Sequence, residues 1–247
     1  IGAKAPVAFF AYPGKPSSIL PPNCWVIEMA QPGDDLAGAL EMLADELGIA
    51  SNLVPHTAKR SKPDLPSGPL SPETIAKAVA TLSPEGAIWI DETISSGRAF
   101  FPLTEGAAPH DFLQLTGGAI GIGLPLAAGA AIACPHRKVI AMQADGSAMY
   151  TVQALWTHAR ERLDIVTIIL ANRRYAILHH ELKAVGAAKP GRNARRMLDF
   201  DDPAPNWVQI ANGMGVEAAR ATDAASFCDL LAAGLSRKGP FLIEAVL

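Results

Sequence analysis

Apolar and polar positions along the chain alternate in blocks whose lengths predict a mixed structure. Two short apolar runs come first, Val7 to Ala11 and Trp25 to Ala30, separated by a turn-rich segment. Runs of this length are predicted as strands. From Asp34 to Leu47 the apolar residues recur at helical spacing, with Asp34 or Asp35 as the cap and Gly48 just past the end. Two strands and one helix cannot bury themselves alone, so residues 1–51 read as the tail of an α/β domain whose earlier part lies elsewhere. Between Asn52 and Pro72 the periodicity stops, and five prolines with little apolar content mark residues 52–70 as a linker.

Beyond the linker, helices and strands alternate through residues 71–247. A helix is predicted from Ser71 to Leu82, opened by Ser71 and Thr74 as a loose capping box. A strand follows at Ala87 to Ile90. Next come a glycine-rich turn and helix from Gly117 to Ala133, a strand from Lys138 to Gln143 and a helix from about Ser147 to Arg162. A strand from Ile165 to Leu170, a helix from Ala224 to Ser236 and a strand from Phe241 to Val246 complete the set. Strands that are continuous apolar runs, alternating with helices, predict an α/β fold with a parallel sheet covered by helices on both faces.

Composition narrows the function classes. With 49% hydrophobic residues and a net charge of −3, the chain has material for a core and no electrostatic footprint for nucleic acid or an anionic membrane. The most apolar stretch, Ala119 to Cys134, is too short to span a bilayer and is interrupted by Gly121, Gly123, Pro125 and Gly129. The amino terminus does not read as a signal peptide. Cys24, Cys134 and Cys228 form no CxxC or Cys/His spacing, so neither disulfides nor zinc are expected, and the expected compartment is cytoplasmic.

Candidate chemistry concentrates between Val139 and Leu178. Strand, helix and strand there make one right-handed crossover, placing Asp145 at the carboxyl end of one strand and Asn172 at the carboxyl end of the next. Ligands of open α/β sheets bind outside those strand ends, and Gly146-Ser147 opens a helix whose N–H groups favour phosphate. A carboxylate, an amide oxygen and a nearby backbone carbonyl are hard donors of the kind that Mg²⁺ accepts while holding a diphosphate. The competing reading of Asp145-Gly146 is a helix cap in a turn. A nicotinamide site is disfavoured, because the run beginning Gly121-Ile122-Gly123 lacks the third glycine and Pro125 removes a donor.

Ala144-Asp145-Gly146-Ser147, with Asn172 lying 27 residues after Asp145, resembles the signature of thiamin-diphosphate enzymes. GGAIGIGLPLAAGAA, from Gly117 to Ala131, resembles the glycine-rich segment preceding that signature in the acetolactate synthase and benzoylformate decarboxylase group, and DETISSG, from Asp91 to Gly97, resembles the family's strand-end motif. Residues from about 71 onward thus look like the family's diphosphate domain, and 1 to about 51 like the end of its central domain. The resemblance implies that Asp145 and Asn172 supply side-chain oxygens to Mg²⁺ and Arg174 its backbone carbonyl. It implies that Gly146, Ser147 and Ser95 hold phosphate oxygens, that Ile120 props the cofactor in a bent form, that Gly118 offers its carbonyl to the aminopyrimidine, and that Tyr175 also borders the cofactor. The implied cofactors are thiamin diphosphate and Mg²⁺, the implied substrate a 2-oxoacid.

Departures from the pattern refine the expectation. Ala144 and Ala171 stand where the family usually has glycine and asparagine, and Leu178 stands where pyruvate decarboxylases carry a glutamate, which favours an acetolactate-synthase-like or benzoylformate-type activity. The family's activating glutamate belongs to a pyrimidine domain that none of these residues resembles. The chain is therefore expected to be an inactive piece of a longer, oligomeric protein, its cofactor completed by the pyrimidine domain of a second subunit. A non-catalytic binding or oligomerisation domain is the reading from another class. His179 and His180 stand either over the substrate or as a surface pair on a loop. His110 is expected in a loop, Lys189, Arg192, Arg195 and Arg196 in a solvated flexible loop, and Tyr150 and Trp156 in the core.

Overall fold

The structure is a computed structural model that describes residues 1–3, 6–8, 11–54, 56–187 and 189–247. The chain divides into two compact units, Ile1–Thr57 with Lys183–Ala188, and Ala58–Leu182 with Lys189–Leu247.

The first unit contains α1 (Leu36–Glu46), capped as the sequence predicts: the Asp35 carboxylate accepts from the Gly38 N–H, and Gly48 takes φ +64° beyond the last turn. The two expected strands are not formed among its described residues. Residues 25–30 are without regular structure, and Trp25 is 91% exposed. Of the run from Val7 to Ala11, Phe9 and Phe10 lie outside the described residues, and Val7 makes only an isolated bridge to Ser18. An apolar run becomes a strand only where another strand receives its N–H and C=O groups, and none is available among the described residues of this unit.

The second unit is built on six parallel strands: β1 (Ile88–Glu92), β2 (Asp111–Gln114), β3 (Val139–Ala144), β4 (Ile165–Ala171), β5 (Glu217–Ala221) and β6 (Phe241–Val246), in the spatial order β2-β1-β3-β4-β6-β5. Its helices are α2 (Pro72–Leu82), α3 (Phe100–Thr104), α4 (Gly123–Ala133), α5 (Asp145–Ala148), α6 (Ala154–Arg160), α7 (Ala176–Ala184), α8 (Arg192–Leu198), α9 (Trp207–Gly213) and α10 (Ala224–Ser236), with α7 running on into the first unit's residues. The Ser71–Thr74 capping box closes reciprocally and starts α2.

Alternation along each strand divides the core into two layers. Ile140, Met142, Val166, Ile168 and Leu170 face α2, α3 and α10, together with Ile75, Phe100, Phe227 and Leu231. Val139, Ala141, Ile165, Ile169 and Ala171 face the other way, toward α4, α6 and α9. The central strands are buried on both faces, which is why they read as unbroken apolar runs. The strand order reverses between β1 and β3, and the glycine-rich segment that leads into α4 enters at that point.

Several local expectations are corrected. The single helix predicted from Ser147 to Arg162 is two pieces, α5 and α6, joined by tighter turns in which Tyr150, Thr151 and Ala154 donate to the carbonyls three residues back. Tyr150 and Trp156 are 56% and 51% exposed and not in the core, since α6 buries Ala154, Leu155 and His158 instead. The arginine-rich segment is the short helix α8, its guanidinium groups exposed. Among the described residues, no helix is long and apolar enough to cross a membrane.

Ile168 lies fully buried in the central strand β4, whereas Ile132 on α4 is 60% exposed. Ile168→Ala is expected to lower the unfolding free energy by about 2–5 kcal/mol in denaturant titration, and Ile132→Ala to change it by less than about 0.5 kcal/mol. Equal effects would mean that the two-layer core is wrongly drawn.

Candidate functional site

Parallel registration brings the carboxyl ends of three strands to one level. Glu92 pairs with Gln143 and Ala144 with Leu170, so Asp145 leaves β3 and Asn172 leaves β4 side by side. Asp145 is only 1% exposed. One of its carboxylate oxygens accepts the Gly146 N–H at 2.9 Å, and the other accepts the Arg173 N–H at 2.6 Å. Arg173, whose N–H makes this contact, takes φ +58°, a left-handed conformation unusual outside glycine. The Asn172 side chain folds over its own turn: its amide oxygen accepts the Arg174 N–H at 3.0 Å, and its amide nitrogen donates to the Ser96 hydroxyl at 3.4 Å. The 27-residue spacing in the sequence is thus closed in space through Arg173.

Residues 173–175 pair with residues 198–200. The Tyr175 N–H donates to the Leu198 carbonyl at 2.8 Å and the Phe200 N–H to the Arg173 carbonyl at 3.0 Å, a pairing that leaves the Arg174 carbonyl out. The Tyr175 ring lies against Gly146, where an added Cβ would come within 2.6 Å of it, and Phe200 packs on Tyr175 with centroids 5.0 Å apart. Only a residue without a side chain admits that contact.

Burial dominates the electrostatics. Desolvation pushes the Asp145 carboxyl up to about 6, against the opposing pull of its backbone N–H donors. Burial likewise raises the Tyr175 hydroxyl and holds His158 below its ordinary value; the His158 ring lies 2.9 Å from the Leu124 carbonyl. Among the described residues, no three His, Cys, Asp or Glu side chains converge as a metal cluster. A cation here would be held by one carboxylate with amide and carbonyl oxygens. Asp145 fits that demand, since its charge is costly where it stands and each of its oxygens keeps a spare lone pair.

The other sequence-singled residues fall as follows. Ser147 is buried, and its hydroxyl lies against the Glu92 and Ala144 carbonyls at 3.1 and 3.0 Å. Ser95 is half-buried in the loop after β1, and its neighbour Ser96 makes the contact to Asn172. Gly118 has φ +71°, its carbonyl accepts the Ile120 N–H at 3.0 Å, and Ile120 is partly exposed. Leu178 is exposed on α7. His179 lies on the same helix with its ring nitrogen 2.6 Å from the Asp199 carboxylate, so it is neither on a loop nor free. His110 stacks on Trp89 at 3.7 Å, away from the strand ends.

Sequence reading missed Glu92. It closes β1, is buried, and its two carboxylate oxygens accept the N–H groups of Gly121 and Gly123, the latter at 2.6 Å. Its signal was a charged residue within an otherwise apolar strand, beside Asp91. Asp91, Glu92, Ile94, Gly97, Arg98 and Phe101 border a cleft of about 250 Å³ at the end of β1.

A parallel sheet with oxygen-bearing side chains and glycine turns at its switch point is the class of ligand-binding α/β domain that holds phosphorylated cofactors. The family comparison is specific: residues 98–245 match the family described as "Thiamine pyrophosphate enzyme, C-terminal TPP binding domain", and the chain belongs to that family. It is 48% identical over 246 residues to a Mycobacterium tuberculosis protein named "Putative acetolactate synthase large subunit IlvX", covering 99% of this chain and 47% of that protein. It is 34% identical over 213 residues to the benzoylformate decarboxylase of Pseudomonas aeruginosa, covering 85% of this chain and 39% of the relative. Among solved structures, the thiamine diphosphate-dependent 4-hydroxybenzoylformate decarboxylase of Rhodococcus jostii superposes with a TM-score of 0.67 at 30% identity, over 84% of this chain and 38% of that one. The chain therefore spans less than half the length of these relatives.

The raised Asp145 carboxyl carries a signed pH effect. The folded state keeps its proton at a pH where the unfolded chain, near 3.8, has lost it, so this contribution favours folding at low pH and is lost as pH rises through about 6. In metal-free buffer, the stability gap between Asp145→Asn and the parent should move in the variant's favour by up to roughly 3 kcal/mol between pH 4 and pH 7. A gap independent of pH would contradict the desolvation assignment.

Proposed function

We propose that this chain carries the metal-and-diphosphate half of a thiamin-diphosphate site in a 2-oxoacid carboligase or decarboxylase of acetolactate-synthase type. The observation that carries the reading is the buried Asp145 carboxylate at the switch point, joined to the Asn172 turn through the Arg173 N–H, in a chain of this family. Asp145, Asn172 and the Arg174 carbonyl would hold Mg²⁺. The Gly146 and Ser147 N–H groups and Ser95 would meet phosphate oxygens, with Tyr175 packed on Gly146 as the wall of that turn. Gly118 and Ile120 would face the ring end, one by its carbonyl and the other by its apolar bulk. When bound, the cofactor supplies a carbon nucleophile and an electron sink. The chain's own part is to bind it, orient it and keep water from the buried carboxylate.

Residues 71–247 act as the diphosphate-binding domain in this reading, residues 52–70 as a linker and residues 1–51 as the end of a preceding domain. The partner is a pyrimidine domain bearing the activating glutamate, supplied by the longer protein and contributed across a subunit interface. The piece alone is then inactive. The likeness to a benzoylformate decarboxylase, together with apolar Leu178, supports a second reading in which the substrate is an aryl 2-oxoacid.

Calorimetric titration of the full-length protein with thiamin diphosphate and Mg²⁺ should give saturable binding. Asp145→Ala should weaken it by at least about 100-fold, more than loss of an outer partner of a metal site costs. Unchanged binding in that variant would refute the ligand assignment. Incubation of the full-length protein with pyruvate is expected to yield acetolactate; benzaldehyde from benzoylformate, with pyruvate untouched, would favour the second reading, and turnover of neither would count against both.

A further inference from the structure

We infer that Glu92 is a positioning residue that fixes the separation between the two loops meeting the two ends of the cofactor; the role rests on the cofactor reading above. Its side chain and its backbone hold different loops. The carboxylate takes the Gly121 and Gly123 N–H groups, which directly follow Gly118 and Ile120. Its carbonyl lies 3.1 Å from the hydroxyl of Ser147, in the turn that begins with Asp145. One residue at the end of a central strand thus ties the ring-end loop to the diphosphate turn.

The surroundings are shaped for this clamp. Glu92 is 1% exposed, and hydrogen bonds in so dry a place are electrostatically stronger than the same bonds in water. The same loop is held from its other side by Thr151, whose hydroxyl donates to the Gly121 carbonyl at 2.7 Å. A Cβ on Gly123 would fall 1.7 Å from the Gln143 amide nitrogen and 2.7 Å from a Glu92 oxygen, and one on Gly121 would fall 2.8 Å from the Tyr150 Cβ. Both glycines are therefore demanded by the close approach of the loop to Glu92, Gln143 and Tyr150. Among the described residues, the Glu92 carboxylate is hydrogen-bonded to Gly121 and Gly123 and not to Asp145 or Asn172, so it acts through the loops and not on a metal or a reacting atom.

Glu92→Gln keeps one acceptor oxygen and turns an amide N–H₂ toward a backbone donor. Thr151→Val removes only the second tether of the same loop. In the full-length protein without ligand, Glu92→Gln should speed amide hydrogen exchange in residues 119–123 roughly tenfold or more while residues 145–148 stay as in the parent. Binding is then compared for two probes in the presence of Mg²⁺: inorganic pyrophosphate, which engages only the diphosphate end, and thiamin diphosphate. Each variant is expected to weaken thiamin diphosphate by roughly tenfold and pyrophosphate by less than about twofold, an asymmetry that general loss of folding would not produce. Equal weakening of both probes, or loop exchange unchanged, would overturn the inference. A parent protein that binds neither probe would refute the cofactor reading itself and this role with it, whatever the exchange data say about the clamp. If Glu92→Gln does not fold, Thr151→Val decides by the same asymmetry.

Discussion

Parallel pairing in one register is the constraint on which the rest of this molecule depends. Because Glu92 stands opposite Gln143 and Ala144 opposite Leu170, three strands run out at the same height, and the residues that follow them have no choice but to meet. The strand ends supply polar groups just where the apolar sheet stops. Slipping one strand by a single residue would turn its side chains to the opposite face and take Asp145 or Asn172 out of the crevice.

Stability and function pull against each other at that point. The sheet is held by continuous apolar layers, yet its carboxyl edge buries the Asp145 carboxylate beneath a turn held by Tyr175 and Phe200. Burying an anion without a matching cation opposes folding, and backbone N–H groups offset only part of it. Such a charge is retained where a ligand uses it. Glu92 is buried too, and like Asp145 it has both oxygens engaged by backbone donors, but its donors, Gly121 and Gly123, lie in a loop remote in sequence, whereas those of Asp145 are its neighbour Gly146 and the turn after β4. The two acids therefore divide by what they hold together: Asp145 joins the ends of β3 and β4, and Glu92 joins the end of β1 to the loop that leads into α4.

What the sequence shows plainly is what periodicity encodes. Long apolar runs such as Ile165–Ala171 and the helix Ala224–Ser236 stand out because burial on both faces or on one stripe leaves a direct pattern. The edge strands β2 and β5 went unseen: Asp111–Gln114 is largely exposed, and Glu217–Ala221 carries charge and small residues, so neither has the apolar signature of a central strand. Trp25–Ala30 failed the other way, since an apolar run is a strand only when a neighbour receives its hydrogen bonds. Asp145, Gly146 and Asn172 were legible because spacing across one crossover is a local property. Glu92 and Ser96 were not, because no single crossover relates them to their partners: α3 and the unforeseen strand β2 lie between Glu92 and Gly121, and 76 residues separate Ser96 from Asn172.

A crystal structure of the full-length protein with thiamin diphosphate and Mg²⁺ is the most direct test of the central claim. The expected result is a single metal ion about 2.0–2.1 Å from oxygens of Asp145, Asn172 and the Arg174 backbone, with the diphosphate against Gly146. A diphosphate seated elsewhere, or a metal without the Asp145 carboxylate among its ligands, would contradict it.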